Sequence, residues 1–431
     1  MAYLLVSMGD DLPSQTRVQE GLVDQPTSVR VAGEAAAGAA HDGRRSAALL
    51  SLLEAAGALP PHELCRISEI VANLLEASSV RIYIADYALV CLQEFGLDKR
   101  GPHIPIEGTL AGRAYANGEI LVVEGDPTEV WVPLTDGSER LGVLKLAVDT
   151  WHDELHALID PIVKILALEL VRKRRYTDIV LRSRRAQPLS PAAELQWGLL
   201  PPLACSTEQV AVSGILEPAY SVGGDSFDYA FNPGALELAI IDAVGHGMSS
   251  VLLAAVATNV LRNVRREGGD LTEAYVATGE ELAEQFTRPM FAPFVTGQLG
   301  TLELGTGRLR WLNAGHPLPL LVRDGSFVGE LPCAPSLPMG LGGTVTEIAT
   351  AALQPGDRVL FYTDGVIECR SPEGEAFGTE RLADFLVRAT LDGVSPTETL
   401  RRLNGSILAY NGAGLSDDAT LLLLEYQPPR R

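Results

Sequence analysis

A chain of 431 residues with 34 basic and 55 acidic side chains has a formal charge of −21 and a sequence pI near 4.8. Such a chain repels polyanions as a whole, which argues against partnership with nucleic acid or an anionic membrane and suits divalent cations at acidic clusters. With 46 % apolar and 21 % charged residues it can build substantial cores, and at roughly 150 residues per domain it predicts two or three domains.

Residues 1–44 show little periodicity, and "VAGEAAAGAAHDG" offers little to bury, so a disordered or loosely ordered extension is expected. The opening "MAYLLVSMGDD" lacks the basic stretch of a signal peptide. The longest apolar run, "VLLAAVATNVL" (251–261), is too short to span a bilayer. Cys65, Cys91, Cys205, Cys333 and Cys369 are scattered without a CxxC pair, which reads as free thiols in a reducing compartment. A cytoplasmic location without membrane attachment is expected.

From residue 45 the pattern becomes regular. Leu64, Ile67, Ile70, Val71, Leu74 and Leu75 recur at helical spacing within 64–79. "VRIYIAD" (80–86) alternates as a strand does. A short helix is predicted over "TLAGRAYANG" (109–118). Strands follow at "EILVVEG" and within 130–148, the last two joined by a turn at "TDGSE". Together they predict an α+β domain over 45–172. In element order this stretch resembles a GAF domain, which implies a sensor for an unknown small ligand or protein. The residue signature of cyclic-nucleotide-binding GAF domains is not visible, and Cys91 and His103 are not read as cofactor ligands.

Residues 152–187 read as one helix. Leu155, Leu158, Ile162 and Ile165 begin a heptad seam that fails at Glu169 and Arg172, so a coiled coil is only an alternative there. The basic runs 172–175 and 182–185 read as a solvated helix face. "QPLSP" (187–191) breaks the chain, and Ser190 with Pro191 starts a new helix that ends at Pro201–Pro202. Residues 173–204 are thus expected to form a helical linker. A homodimer through the GAF-like domain and the helix after it is compatible with this pattern.

After Cys205, strand-like runs alternate with predicted helices at 248–266, 271–287, 379–391 and 395–410. Paired antiparallel hairpins and paired helices predict two packed sheets with helices outside. Four acidic turns punctuate this region: "VGGDSFDY" (222–229), "IDAVGHG" (241–247), "YTDGVIE" (362–368) and "LSDDAT" (415–420). One Asp-Gly turn alone is an ordinary hairpin signal. Four acids at strand ends in a sandwich would meet at one rim. Two carboxylates about 4 Å apart repel by roughly 4 kcal/mol at an effective dielectric near 20. Oxygen donors of this kind call for Mn²⁺ or Mg²⁺ rather than zinc. Paired ions of that type activate water, a chemistry suited to phosphoester hydrolysis without a covalent intermediate.

The stretches "SVGGDSFDY", "IIDAVGHGMSS", "FVTGQLGTLELGTGRLRWLNAGHPLPLL", "PMGLG", "LFYTDGVIECRSPEGEAFGTERL" and "SDDATLLLL" run in one order across 205–427. In that order they resemble the PPM family of metal-dependent protein phosphatases, in its bacterial branch of sporulation-stage-II-E and sigma-factor-regulator phosphatases. The resemblance implies that Asp225 and Asp242 hold two or more metal ions, with Asp242 bridging. It implies the carbonyl of Ala243 as a further ligand and Asp364 and Asp417 as the completing acids. Asp418 falls where an outer polar group is expected, and Asp228 is a second acid that could reach the metal or its waters. Ser226 and Leu318 replace residues common in the family without removing a ligand. His246 reads as opening a helix rather than as a general acid, and His316 with Asn313 as ordering a hairpin. Glu368 and Thr363 are expected to support the turn of Asp364. The implied substrate is a phosphoprotein of the STAS-domain anti-anti-sigma type, with turnover governed by the N-terminal sensor. The alternatives are a non-catalytic regulatory binding partner in a sigma-factor pathway and a nucleotide phosphohydrolase.

Overall fold

The computed structural model describes residues 45–96, 103–221, 223–286, 293–412, 415 and 417–427. The expectation of a loose extension over 1–44 lies outside these residues. The chain divides into Met1–Leu50 and Ser51–Arg431. The described part of the first unit, residues 45–50, is helical.

The second unit begins with a helix over 51–58 (α1), a 3₁₀ turn Pro61–Arg66 and helix α2 (Ile67–Leu74). A six-stranded antiparallel sheet follows, in the order β3-β2-β1-β6-β5-β4. Its strands are β1 (Ser79–Ala85), β2 (Cys91–Glu94), β3 (Ile104–Pro105), β4 (Leu121–Val123), β5 (Thr128–Asp136) and β6 (Glu139–Val148). The β5–β6 hairpin closes at Asp136↔Glu139, with Gly137 at φ 58°, in the left-handed region that suits glycine in a two-residue turn. Helix α3 (Leu110–Asn117) is capped by Thr109, whose hydroxyl accepts from the Gly112 amide, and stops at Gly118 in the left-handed conformation.

Helix α4 (Asp153–Lys173) packs on β5. Its buried face is Leu155, Ile159, Ile162, Val163, Leu166 and Leu170, so it covers a sheet instead of presenting a heptad seam. The single helix expected over 152–187 is corrected: the chain turns after Arg174 and resumes as α5 (Ile179–Ser183). The apolar periodicity lapses at "RKRRYTD", and the Thr177 hydroxyl accepts from the Ile179 amide, the local competition with helix that Thr and Asp provide. The solvated reading of the basic runs is corrected in part. Lys173 is buried, donates to the carbonyls of Ala56 and Leu59, and lies 3.3 Å from Glu169. Arg184 stacks 4.4 Å from the Tyr87 ring centroid. Ser190 caps α6 (Pro191–Leu199) with Pro191 in its first turn, as the sequence predicts.

The remainder is two antiparallel sheets with helices outside. One is β15-β12-β11-β10-β9 and the other β14-β13-β16-β17-β8-β7. Their strands are β7 (Ala204–Ser206), β8 (Val210–Glu217), β9 (Asp225–Asn232), β10 (Ala235–Ala243), β11 (Val295–Glu303), β12 (Arg308–Ala314), β13 (Leu320–Arg323), β14 (Ser326–Glu330), β15 (Ala349–Ala352), β16 (Arg358–Tyr362) and β17 (Ala419–Tyr426). Side-chain alternation sorts the cores. On β17, Leu422 and Leu424 face the gap between the sheets, while Leu421 and Leu423 join the core under the outer helices. On β10, Leu236, Leu238 and Ile240 face the gap, and Ala239, Ile241 and Ala243 meet the opposite helical layer. Helices α7 (Met248–Arg266) and α8 (Leu271–Gln285) cover the first of these two sheets. After the one-turn α9 (Asp364–Glu368), α10 (Gly378–Leu391) and α11 (Pro396–Asn411) cover the second. Among the described residues no helix is long and apolar enough to cross a membrane, and all five cysteines are free.

Candidate metal centre

The alternation that builds the inter-sheet core also delivers acids to its rim. On β10 the inward series Leu236, Leu238, Ile240 continues to Asp242. On β9 the inward residues Tyr229 and Phe227 continue to Asp225, and Asp225 stands opposite Asp242 in register. From the facing sheet, Val359 and Phe361 of β16 lead to Thr363, and Leu424 and Leu422 of β17 lead back through Thr420 to Asp418. Asp364 is the first residue of α9, and Asp417 lies just before β17.

Thr363 stitches the two sheets together at this rim. Its hydroxyl donates to Asp225 Oδ2 at 2.7 Å and accepts from the Thr420 amide at 2.9 Å, while its own amide donates to the Thr420 carbonyl. It precedes α9 without a side-chain cap bond, so its expected role at the Asp364 turn is replaced by one on Asp225. Asp225 is buried, and its amide donates to Asp418 Oδ2 at 3.4 Å. The Asp417 carboxylate accepts from the Asp418 amide at 3.0 Å. Two glycines allow the close approach. A Cβ on Gly224 would lie 2.1 Å from the Ala243 carbonyl oxygen, and one on Gly365 1.8 Å from the Asp418 carbonyl oxygen.

The electrostatics are one-sided. Burial, then the charges of Asp242 and Asp418, hold the Asp225 carboxyl well above its usual range. Burial, then Asp364, Asp417 and Asp418, push Asp242 up to about 7. Asp418 rises to about 6, mainly through burial, and Asp364 rises through burial, Glu368 and Asp417. Glu368 therefore adds negative charge beside Asp364. Among the described residues no ion pair joins Asp225, Asp242, Asp364, Asp417 or Asp418 to a cation. Nor, among those residues, is any group of three His, Cys, Asp or Glu side chains drawn in far enough to hold a metal ion as it stands.

Asp228 does not belong to this set. Three residues after Asp225 it faces the opposite side of β9, where it is buried against Arg262 at 2.7 Å and Arg265 at 2.9 Å of α7. Strand parity gives the reason, since an odd separation reverses the face. His316 is buried, and burial lowers its imidazole to about 3, which keeps it neutral and unfit to donate a proton. Its Nδ1 lies 3.0 Å from the Thr296 hydroxyl, and Asn313 bonds its backbone on both sides, so the pair orders this turn as expected. Thr296 is itself paired in register with Asp242. His246 is exposed in the turn before α7.

Sequence reasoning missed Gln196. It is buried on α6, and its side-chain amide donates to the Asp225 carbonyl. Beside it, Trp197 donates to the Ala219 carbonyl and packs 4.7 Å from the Tyr87 ring. The signal was a polar residue inside the otherwise apolar "LQWGLLP".

Residues 232–427 match the family model for Stage II sporulation protein E (SpoIIE), a span that holds Asp242, Asp364 and Asp417 and stops short of Asp225. Protein IcfG of Synechocystis sp. is 27 % identical over 270 residues, 54 % of this chain and 40 % of that protein. The chain therefore spans less than half the length of that relative. Phosphoserine phosphatase RsbU of Bacillus subtilis is 22 % identical over 283 residues, 63 % of this chain and 80 % of that one. Among solved structures, the RsbU and RsbW domains of Rv1364c from Mycobacterium tuberculosis share 27 % identity at a TM-score of 0.45, over 52 % of this chain and 63 % of theirs.

Proposed function

We propose that the SpoIIE-type phosphatase domain of this chain is a Mn²⁺- or Mg²⁺-dependent hydrolase of phosphoserine and phosphothreonine in proteins. The observation that carries the reading is the convergence of Asp225, Asp242, Asp364, Asp417 and Asp418 at one rim with no cationic partner among the described residues. Hard divalent cations fit such a donor set, which is all oxygen and holds raised, mutually repelling carboxyls beside a carbonyl framed by glycine. Asp225, Asp242, Asp364, Asp417 and the carbonyl of Ala243 would hold two or more ions. When bound, such ions neutralise phosphoryl charge and lower the pKa of water.

The chain supplies the framework for that chemistry. Thr363 donates to Oδ2 of Asp225 and orients its carboxylate. The buried Gln196 fixes the Asp225 backbone from α6. The paired register of β9 and β10 keeps Asp225 and Asp242 adjacent on one face. The substrate we infer is a phosphorylated STAS-domain anti-anti-sigma protein. Residues 45–172 are read as a GAF-like sensor, 173–204 as the linker and 205–427 as the catalytic domain, with a homodimer compatible with this plan. Contacts of α6 with Tyr87 on one side and Asp225 on the other support a route from sensor to site.

The test is phosphate release from a phosphoserine protein with Mn²⁺ and with EDTA, on the wild type and Asp364→Asn. The reading predicts release only for the wild type with metal. Release that survives EDTA or the substitution refutes it, and no release from any sample favours the non-catalytic binding partner.

A further inference from the structure

We propose that the cleft between the N-terminal sheet layer and α11 binds a small amphipathic anion. The cleft is open to solvent on one side and has a volume of about 960 Å³, the size of a small-molecule site. Its apolar walls include Leu89, Val90 and Leu110 from one layer and Leu408 from α11. Its charged lining is three arginines, Arg113, Arg401 and Arg402, against two glutamates, Glu107 and Glu398, a net +1 in a chain of −21.

These charges are unequally committed. Arg401 is held by Glu107 at 2.6 Å and Glu398 at 2.8 Å. Glu398 is further gripped by Arg140 at 2.9 Å, across the two layers. Arg402 meets Glu398 through Nε alone and is 45 % exposed, which leaves its terminal nitrogens available to a carboxylate or a phosphate-like head.

A second observation is independent of charge. Asn404 lines the cleft and is only 3 % exposed. Its Nδ2 donates to Glu217, which holds this polar side chain at the cleft wall. A third is Gly405. It is exposed, and a Cβ built there meets nothing within 4 Å, so the cleft opens to solvent at this point of α11 and a larger side chain placed there would narrow it. Because both layers contribute walls, an occupant would hold them together.

The test uses the full chain and 8-anilinonaphthalene-1-sulfonate, a probe with an anionic head and an apolar body. Fluorescence titration is run on the wild type, Arg402→Gln and Gly405→Phe, with thermal melts to establish folding. We expect saturable binding to the wild type, about tenfold weaker binding to Arg402→Gln, and loss of binding to Gly405→Phe. Displacement by 4-hydroxybenzoate or by 4-hydroxyphenylphosphonate tells a carboxylate head from a phosphate-like one; the neutral 4-hydroxybenzamide is expected to fail. Equal binding to the wild type and Arg402→Gln, or equal displacement by the amide, overturns the proposal. Should Gly405→Phe not fold, the half-exposed Arg402→Gln decides alone.

Discussion

Replacing Asp242 by Asn in the EDTA-treated chain removes one charge from the acidic rim at almost no change in volume. Burial, with Asp364, Asp417 and Asp418 nearby, lifts the Asp242 carboxyl from the usual 3.8 to about 7. A carboxyl raised in the folded state binds its proton more tightly there than in the unfolded chain. Stability is therefore greatest below the unfolded value and falls as pH rises from about 4 to about 7. The accumulated penalty at pH 8 is about 4 kcal/mol, an upper figure because the neighbouring acids share the repulsion. Asp242→Asn should thus be more stable than the wild type at pH 8, with a melting midpoint up to about 10 °C higher, and equal to it near pH 4. Thermal melts across this pH range, in EDTA and then in saturating Mn²⁺, measure it. With Mn²⁺ the order should reverse, since the wild type binds the ions more tightly and gains more stability from them. A variant no more stable than the wild type at pH 8 in EDTA would refute the view that this rim is a store of unbalanced charge.

Other substitutions separate scaffold from site. Asp228→Ala strands Arg262 and Arg265, which are 17 % and 15 % exposed, and should cost about 3 kcal/mol in a urea melt while Mn²⁺ affinity is kept; a loss of affinity matching that of Asp225→Asn would contradict the placement. Gln196→Leu removes the side-chain donor to the Asp225 carbonyl and should raise the Mn²⁺ concentration needed for half-maximal turnover, whereas an unchanged metal dependence denies α6 any part in positioning Asp225. His316, lowered to about 3, is stabilising as a neutral ring above its unfolded value of 6.5, and that contribution is lost as pH falls toward 3. His316→Gln should therefore lose less stability than the wild type between pH 6.5 and 4; parallel pH profiles would rule this out. Lys173→Met bares the carbonyls of Ala56 and Leu59 and should cost about 2–3 kcal/mol, and a neutral result in the same melt would show that this buried amine does not tie α4 down.

Much of this architecture was legible because its signals are local. The boundaries of α7 and α11, the Ser190 cap and the hairpin at Gly137 follow from periodicity, capping residues and turn chemistry within a few positions. Asp242 was legible for the same reason, since alternation along β10 carries its inward series Leu236, Leu238 and Ile240 on to that acid. What escaped depended on partners distant in sequence. Asp228 looked like a sister of Asp225 until α7 supplied two arginines 34 and 37 residues away. The burial of Lys173 depends on carbonyls more than a hundred residues upstream. Strand β9 itself was hidden, because its polar opening "DSFD" reads as a turn until β10 pairs with it.

Calorimetric titration of the EDTA-stripped full chain with Mn²⁺, on the wild type and Asp242→Asn at pH 8, probes the acidic rim most directly. The account predicts saturable uptake of two or more ions by the wild type and at least a tenfold weaker first event in the variant. Identical isotherms, or no uptake by a folded wild-type sample, would contradict it.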